Sequence, residues 1–370
     1  MKIVHVETGR HLYGGARQVR YLIDGLARLG VGNVLLCPKG AAIAREDLPA
    51  EIVELRLGGD LDTGSVRRMR DAFAARRADL VHVHSRRGAD VFAGLAASAG
   101  RWPAVLTRRV DADEWAPWAR LKYSRYAALI AISSAIERQL VAGVGLSPKR
   151  VFLVPSGVDT GTFAPSSDAR GRLVDALGLR GDAVLIGVVA QLISRKGHTT
   201  LLDAVARLPG SGDGVELLLF GRGPLAQRIE RDAAARNLSA RVRLVGFRDD
   251  LDRLLPGLDV VAHPASREGL GLAVLEAMSA GVPVAVSAAG GLTDVVEDGV
   301  SGLLVPPDDA AAWSDALLRL IEDPALRRRL GAAGRARIEQ SFSVEQMLVG
   351  NVDVYRAVLG DALPLQSRHG

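Results

Sequence analysis

Short runs of unbroken apolar residues alternate along this chain with longer stretches whose apolar positions recur every three or four residues. Lys2-Ile3-Val4-His5-Val6 predicts an opening strand, and Tyr13-Gly14-Gly15-Ala16 a glycine turn into a helix with Val19, Leu22, Ile23, Leu26 and Leu29 on one face. Gly30 stands where a left-handed cap would end that helix. Further strands are expected at residues 31–37, 80–84, 104–107, 129–132 and 151–155. Because these runs are apolar at successive positions, they suit a parallel sheet covered on both faces. The same alternation resumes after residue 180, so the chain reads as two α/β units. Its 370 residues, 48% of them hydrophobic, exceed one core and can fill two.

The most informative segment follows the apolar run Leu258-Asp259-Val260-Val261-Ala262-His263-Pro264. Arg267-Glu268-Gly269-Leu270-Gly271-Leu272 then opens an Ala/Leu/Met-rich stretch containing Glu276, giving strand, glycine loop and helix with two glutamates eight residues apart. A helix entered through glycines offers unpaired N–H groups to an anion. Two carboxylates beside it suit a ligand that carries hydroxyls around its anionic part, since carboxylates accept from sugar hydroxyls. A nucleotide sugar fits. Upstream, a buried strand ends in Ser194-Arg195-Lys196-Gly197 before a helix, placing two cations where a diphosphate could sit at the carboxyl end of a parallel strand. Residues 215–224 form a strand ending Gly221-Arg222-Gly223-Pro224, which lacks the third glycine of a dinucleotide fingerprint. Val242 to Arg248, with Gly246 and Phe247, is a further strand and turn.

Taken together these segments resemble the retaining glycosyltransferases of family 4 (glycosyl transferases group 1), whose Glu-x7-Glu spacing is met by Glu268 and Glu276. The likeness spans roughly residues 150 to 325. It implies a GT-B architecture of two Rossmann-like α/β domains with parallel sheets facing across a cleft. The expected division is residues 1–165 for the acceptor-side domain and 166–345 for the nucleotide-sugar domain. A helix at 346–360, carrying Met347, Leu348, Val352, Tyr355, Val358 and Leu359, would return to the first domain ahead of a disordered tail at 361–370.

The resemblance also distributes roles. Arg195, Lys196 and Glu268 become the catalytic set, the cations holding the departing diphosphate and Glu268 meeting the donor sugar. Glu276 meets the ribose, and Gly14, Gly15, Gly221, Arg222, Gly246, Phe247, Gly269, Leu270 and Gly271 line the donor. His84, Arg108 and Arg109 fall on the acceptor side, where many family members carry a histidine at the position of the arginine pair. Arginine there suits an anionic acceptor. With two cations available, no cofactor and no metal are required; the Asp-x-Asp triplets at 60–62, 111–113 and 250–252 are too easily matched to indicate one. His82 and His84 share a strand face without a further ligand cluster.

Composition adds compartment and partners. A single cysteine, Cys37, forbids an intrachain disulfide and suits a reducing cytoplasm; it is expected in the core. The net charge is +5. Arg67, Arg68, Arg70, Arg76 and Arg77 share a predicted helix with Val66, Met69 and Phe73, a pattern compatible with peripheral contact at the anionic inner face of the cell membrane and with a lipid-linked acceptor. Aromatics at 4% offer no stacking stripe for nucleic acid. The expected activity is transfer of a sugar from a nucleotide-diphosphate donor to a glycan or lipid-linked acceptor, in synthesis of lipopolysaccharide or another cell-surface polysaccharide. The alternatives are a sugar-nucleotide epimerase of the same fold, a glycoside hydrolase using the carboxylate pair, and a non-catalytic sugar-nucleotide-binding protein.

Overall fold

The computed structural model describes residues 1–57, 62–84, 88–209 and 214–360; the tail at 361–370 lies outside them. The chain divides into two compact units, one of Met1–Gly157 with Val344–Gly370 and one of Val158–Ser343. The expected boundary near residue 165 falls inside the second unit, because Val158 already bridges Ser343 and its N–H donates to the Phe342 carbonyl at 2.9 Å.

In the first unit β1 (Lys2–Val6), β2 (Gly32–Pro38), β3 (Glu51–Leu55), β4 (Leu80–Val83), β5 (Ala104–Arg108), β6 (Ala128–Ala131) and β7 (Val151–Leu153) form one sheet. The order is β3-β2-β1-β4-β5-β6-β7, and every pairing is parallel. Strands β1, β4, β5 and β6 are buried almost throughout, as their unbroken apolar runs require. Strand β3 was not among the expected strands. It is an edge strand, Glu-Ile-Val-Glu-Leu, with both glutamates exposed and Val53 alone buried, so its signal is weaker than that of the central strands.

The helix Gly14–Arg28 buries Val19, Leu22, Ile23 and Leu26, while Leu29, expected on the same face, is 42% exposed beyond the helix end. Gly30 follows with φ +76°, the conformation a left-handed cap needs. The last helix, Val344–Leu359, packs Met347, Val352 and Tyr355 against Ile3, Leu22 and Leu26 of this unit. Each such side chain contributes about 1.5–3 kcal/mol on burial, so this helix is part of the core. Cys37 is fully buried beside Val19 and Leu35. The basic helix runs Gly64–Ala75 and buries Met69 and Phe73, but its arginines are not bare: Arg67 and Arg70 pair with Asp71, Arg68 with Asp62, and Arg76 with Glu51.

The second unit carries β8 (Val184–Val189), β9 (Val215–Phe220), β10 (Val242–Gly246), β11 (Val260–His263), β12 (Val284–Ser287) and β13 (Leu303–Val305), again all parallel, in the order β10-β9-β8-β11-β12-β13. Ile186, Leu217, Leu219, Val260, Trp313 and Leu317 anchor its core. Strand order reverses between β1 and β4 in the first unit and between β8 and β11 in the second. At such a reversal the connections leaving two adjacent strands diverge, which opens a crevice at their carboxyl ends. Among the described residues no helix is long and apolar enough to cross a membrane.

Candidate active site

The reversal in the second unit joins residues far apart in sequence. The turn after β8 ends in a one-turn helix Ser194–Lys196 and Gly197; the loop after β11 runs from Pro264 to Gly271. Backbone contacts stitch the two loops together. Ser266 N–H donates to the Arg195 carbonyl at 3.0 Å, and the Arg195 guanidinium donates to the Arg267 carbonyl at 3.2 Å. Gly197 has φ +68°, and a Cβ there would stand 1.9 Å from the Pro264 carbonyl oxygen, so the close approach of the loops requires glycine.

Within this frame Lys196 Nζ donates to Glu268 Oε2, and His263 Nε2, at the last position of β11, donates to the same oxygen at 2.8 Å. Gly269 N–H donates to Glu268 Oε1 at 3.1 Å. Burial alone would raise the Glu268 carboxyl, but the hydrogen bond from His263 and the charge of Lys196 outweigh it and hold the carboxyl well below the usual range. His263 is lowered by burial, with Lys196 and Arg195 adding to that effect, so it serves Glu268 as a neutral donor. The result is an ionised carboxylate that accepts hydrogen bonds and cannot donate one. The sequence reading gave His263 no role. It lies in an apolar run that looked like strand alone, and its partnership with Glu268 depends on the loop turning back.

Gly271 has φ +92° and enters the helix Leu272–Ser279, whose second turn carries the buried Glu276. Leu270 is buried at the same entrance. On the other side of β8, Gly221 has φ +145° and lies so close to the chain that a Cβ would fall 1.9 Å from the Ala190 carbonyl oxygen. Its N–H donates to the Gly246 carbonyl at 2.8 Å, where the β9–β10 register is interrupted and Gly246 has φ +83°. Arg222 stacks its guanidinium 5.1 Å from the Phe247 ring, which is 49% exposed, leaving a flat cationic and aromatic surface at that edge.

In the first unit the glycine turn places Gly14 at the start of its helix after Tyr13, which gives no side-chain cap. Gly15 packs near the Arg109 side chain, whose Cδ would be 3.7 Å from a Cβ at this position. Arg109 donates to Ser156 Oγ at 3.1 Å, and burial lowers its pKa to about 10. Arg108 does not face a ligand as expected. It is 4% exposed and donates to Glu114 at 2.5 Å, to Tyr123 Oη at 2.6 Å and to the Ala112 carbonyl, so its charge is used inside the unit. Burial would raise Glu114, but Lys122, Tyr123 and Arg108 bring it down to about 2.

His84 directly follows β4 and is buried against His5 of β1; Ser85, Arg86 and Arg87 lie outside the described residues. Nitrogens of His5, His82 and His84 come within 4.8 Å of one another. His82 spends both of its own on Tyr355 Oη at 2.6 Å and Thr107 Oγ1 at 2.7 Å, the satisfied state expected for a strand histidine. Of the Asp-x-Asp triplets, Asp250 is paired with Arg248 at 2.5 Å and Asp111 accepts from Gln139, while Asp60 lies outside the described residues.

The chain is similar to known glycosyltransferases along most of its length. The family described as Glycosyl transferases group 1 matches residues 170–337, and that described as Glycosyltransferase Family 4 matches residues 13–162. A D-inositol 3-phosphate glycosyltransferase from Stackebrandtia nassauensis is 30% identical over 315 residues, covering 80% of this chain and 68% of the relative. Another from a Nocardioides species is 35% identical over 248 residues, covering 62% of this chain and 53% of the relative. The chain thus spans about half the length of several curated relatives it matches. Among solved structures, HepE of Anabaena in complex with UDP superposes with a TM-score of 0.84 at 22% identity, over 96% of this chain and 100% of that one. The two parallel-sheet units are those of the GT-B fold.

Proposed function

Since the chain belongs to glycosyltransferase family 4, we propose that it transfers a glycosyl unit from a nucleotide-diphosphate sugar to a hydroxyl of a glycan or lipid-linked acceptor, with retention of configuration and without a metal. The observation that carries this reading is the cluster of Lys196, Glu268 and His263 at the β8/β11 reversal of the second unit.

As the glycosidic bond breaks, negative charge grows on the diphosphate, and cations and N–H groups already in place act on that growing charge. Arg195 and Lys196 are those cations, with the Gly269–Gly271 backbone of the adjoining loop beside them. Glu268, ionised at neutral pH, accepts from donor-sugar hydroxyls. Glu276 takes the ribose hydroxyls, and Arg222 with Phe247, Gly221 and Gly246 form the edge toward the nucleobase. The UDP in the HepE complex supports a uridine nucleotide as the first donor to try.

On the acceptor side Arg109 supplies a cation and His84 a polar group, while Arg108 holds the fold. The relatives named for D-inositol 3-phosphate support an acceptor that carries both hydroxyls and a phosphate. A cytoplasmic site at the inner membrane face, in cell-surface polysaccharide or lipopolysaccharide synthesis, is the setting we propose.

The test is incubation with UDP-, GDP- and ADP-sugars, each with D-inositol 3-phosphate or a lipid-linked saccharide, reading nucleoside diphosphate release and the product's anomeric configuration by NMR. Release that depends on acceptor and gives a retained anomer is expected, with Glu268→Gln and Lys196→Ala inactive. Donor turnover without acceptor would indicate an epimerase or hydrolase instead.

A further inference from the structure

A chain of hydrogen bonds in the first unit fixes which nitrogen of His84 carries its proton. Asn33 Nδ2 faces two carbonyls, donating to Val31 at 3.0 Å and Ile23 at 3.4 Å, so its amide orientation is set. Its Oδ1 therefore faces His5 Nε2 at 3.1 Å and can only accept. His5 thus carries its proton on Nε2. Buried and neutral, with its pKa lowered to about 4 by burial, it has a bare Nδ1. That Nδ1 lies 3.1 Å from His84 Nε2 and must accept, which puts the His84 proton on Nε2. His84 is also neutral, lowered by burial, by His82 and His5, and by the charge of Arg109.

What remains is His84 Nδ1, a lone pair that is buried and has no partner among the described residues. His84 is 3% exposed, with His82 tilted against it at 3.9 Å and His5 bonded to its edge with ring centroids 5.3 Å apart, so the ring cannot turn freely to find one. An unmet buried acceptor is costly, and such groups call for an explanation. It lies at the β1/β4 reversal, where this fold class binds ligands. Arg109, whose Nε is likewise buried without a partner among the described residues, supplies positive charge nearby. That charge disfavours a cation on the lone pair, and His82 has no nitrogen left to join one. A carboxylate or an ionised phosphate has no hydrogen to give. A hydroxyl has one.

We propose that His84 Nδ1 receives the hydrogen of an acceptor hydroxyl, with Asn33 and His5 as positioning residues that set its tautomer. The inference rests on the transferase reading for the identity of the ligand. The hydroxyl keeps its proton, so the contact orients the acceptor and leaves the proton balance of the transfer unchanged. Sequence reading placed His84 on the acceptor side but assigned nothing to His5 or Asn33, which are 79 and 51 residues from it.

The test uses the full chain labelled with 15N-histidine, with the ring nitrogens read from long-range proton–nitrogen spectra. In the wild type and in Asn33→Asp, which keeps an acceptor for His5, His84 Nδ1 should resonate as an unprotonated nitrogen. In Asn33→Leu it should move toward the average of the two tautomers. A protonated Nδ1 in the wild type, or a tautomer unmoved in Asn33→Leu, would overturn the relay. A high-resolution crystal structure of the free protein, with water as the simplest hydroxyl, should show an ordered water on His84 Nδ1; a protein partner there would overturn the ligand assignment. Thermal shift with UDP, GDP and ADP is run alongside. Nucleotide binding with the wrong tautomer defeats this inference alone, whereas the right tautomer without any nucleotide binding defeats the transferase reading and the acceptor as ligand.

Discussion

Replacing Lys196 by Met keeps the length of the side chain and removes its charge, leaving Glu268 with His263 and the Gly269 N–H as partners. The pair is nearly dry, with the two side chains 10% and 13% exposed. Breaking a buried pair from one side costs about 3–5 kcal/mol. The two surviving hydrogen bonds place Lys196→Met at the lower end, about 3 kcal/mol. For a domain the size of the second unit that lowers Tm by about 6–12 °C at pH 7. The sign with pH follows from the direction of the shift. In the wild type the folded carboxyl lies below its unfolded value of about 4.3, so its stabilisation is present above that value and is lost as pH falls through the folded pKa. In the variant the folded pKa rises because the Lys196 charge is gone, so the deficit shrinks once pH falls through the variant's folded value. Differential scanning calorimetry of wild type, Lys196→Met, Glu268→Gln and the double variant checks this. The double variant should be less destabilised than the sum of the singles. A Lys196→Met protein that melts like wild type at pH 7, or singles that add, would refute the reasoning.

Other consequences can be measured directly. Gly221→Ala should fail to accumulate as folded protein, because its Cβ would overlap a backbone carbonyl, whereas Gly246→Ala, with open space around it at φ +83°, should lose only about 1 kcal/mol in denaturant melts. Tyr355→Phe strips His82 Nδ1 of its partner and should cost about 1–3 kcal/mol by the same assay. Glu114→Gln should flatten the acid side of the stability profile: with a folded pKa near 2, Glu114 stabilises above the unfolded value of about 4.3 and loses that contribution as pH falls toward 2.

Much of the architecture was legible because the central strands are buried on both faces and so are apolar at successive positions. The edge strand Glu51–Leu55 was not, since one side of it meets solvent and its pattern is half polar. The pairing of Lys196 with Glu268 was approached from the sequence through two separate motifs, but the position that unites them is fixed by strand order, which local patterns do not carry. His263, His5 and Asn33 were missed for the same reason. Each lies in or beside an apolar strand, and its role depends on a neighbour supplied by another strand or loop. Arg108 shows the converse. A cation at a strand end looks ready for an anion, yet Glu114 and Tyr123 meet it from within the unit.

The central claim is that the basic turn after β8 holds a nucleoside diphosphate beside Glu268, and calorimetric titration with UDP, GDP and ADP tests it most directly. One of the three should bind the wild type at one site, with affinity falling at least about tenfold in Lys196→Ala, as expected for loss of a charge-assisted hydrogen bond. Nucleotide binding unaffected by Lys196→Ala and Arg195→Ala, or no binding by any of the three, would contradict it.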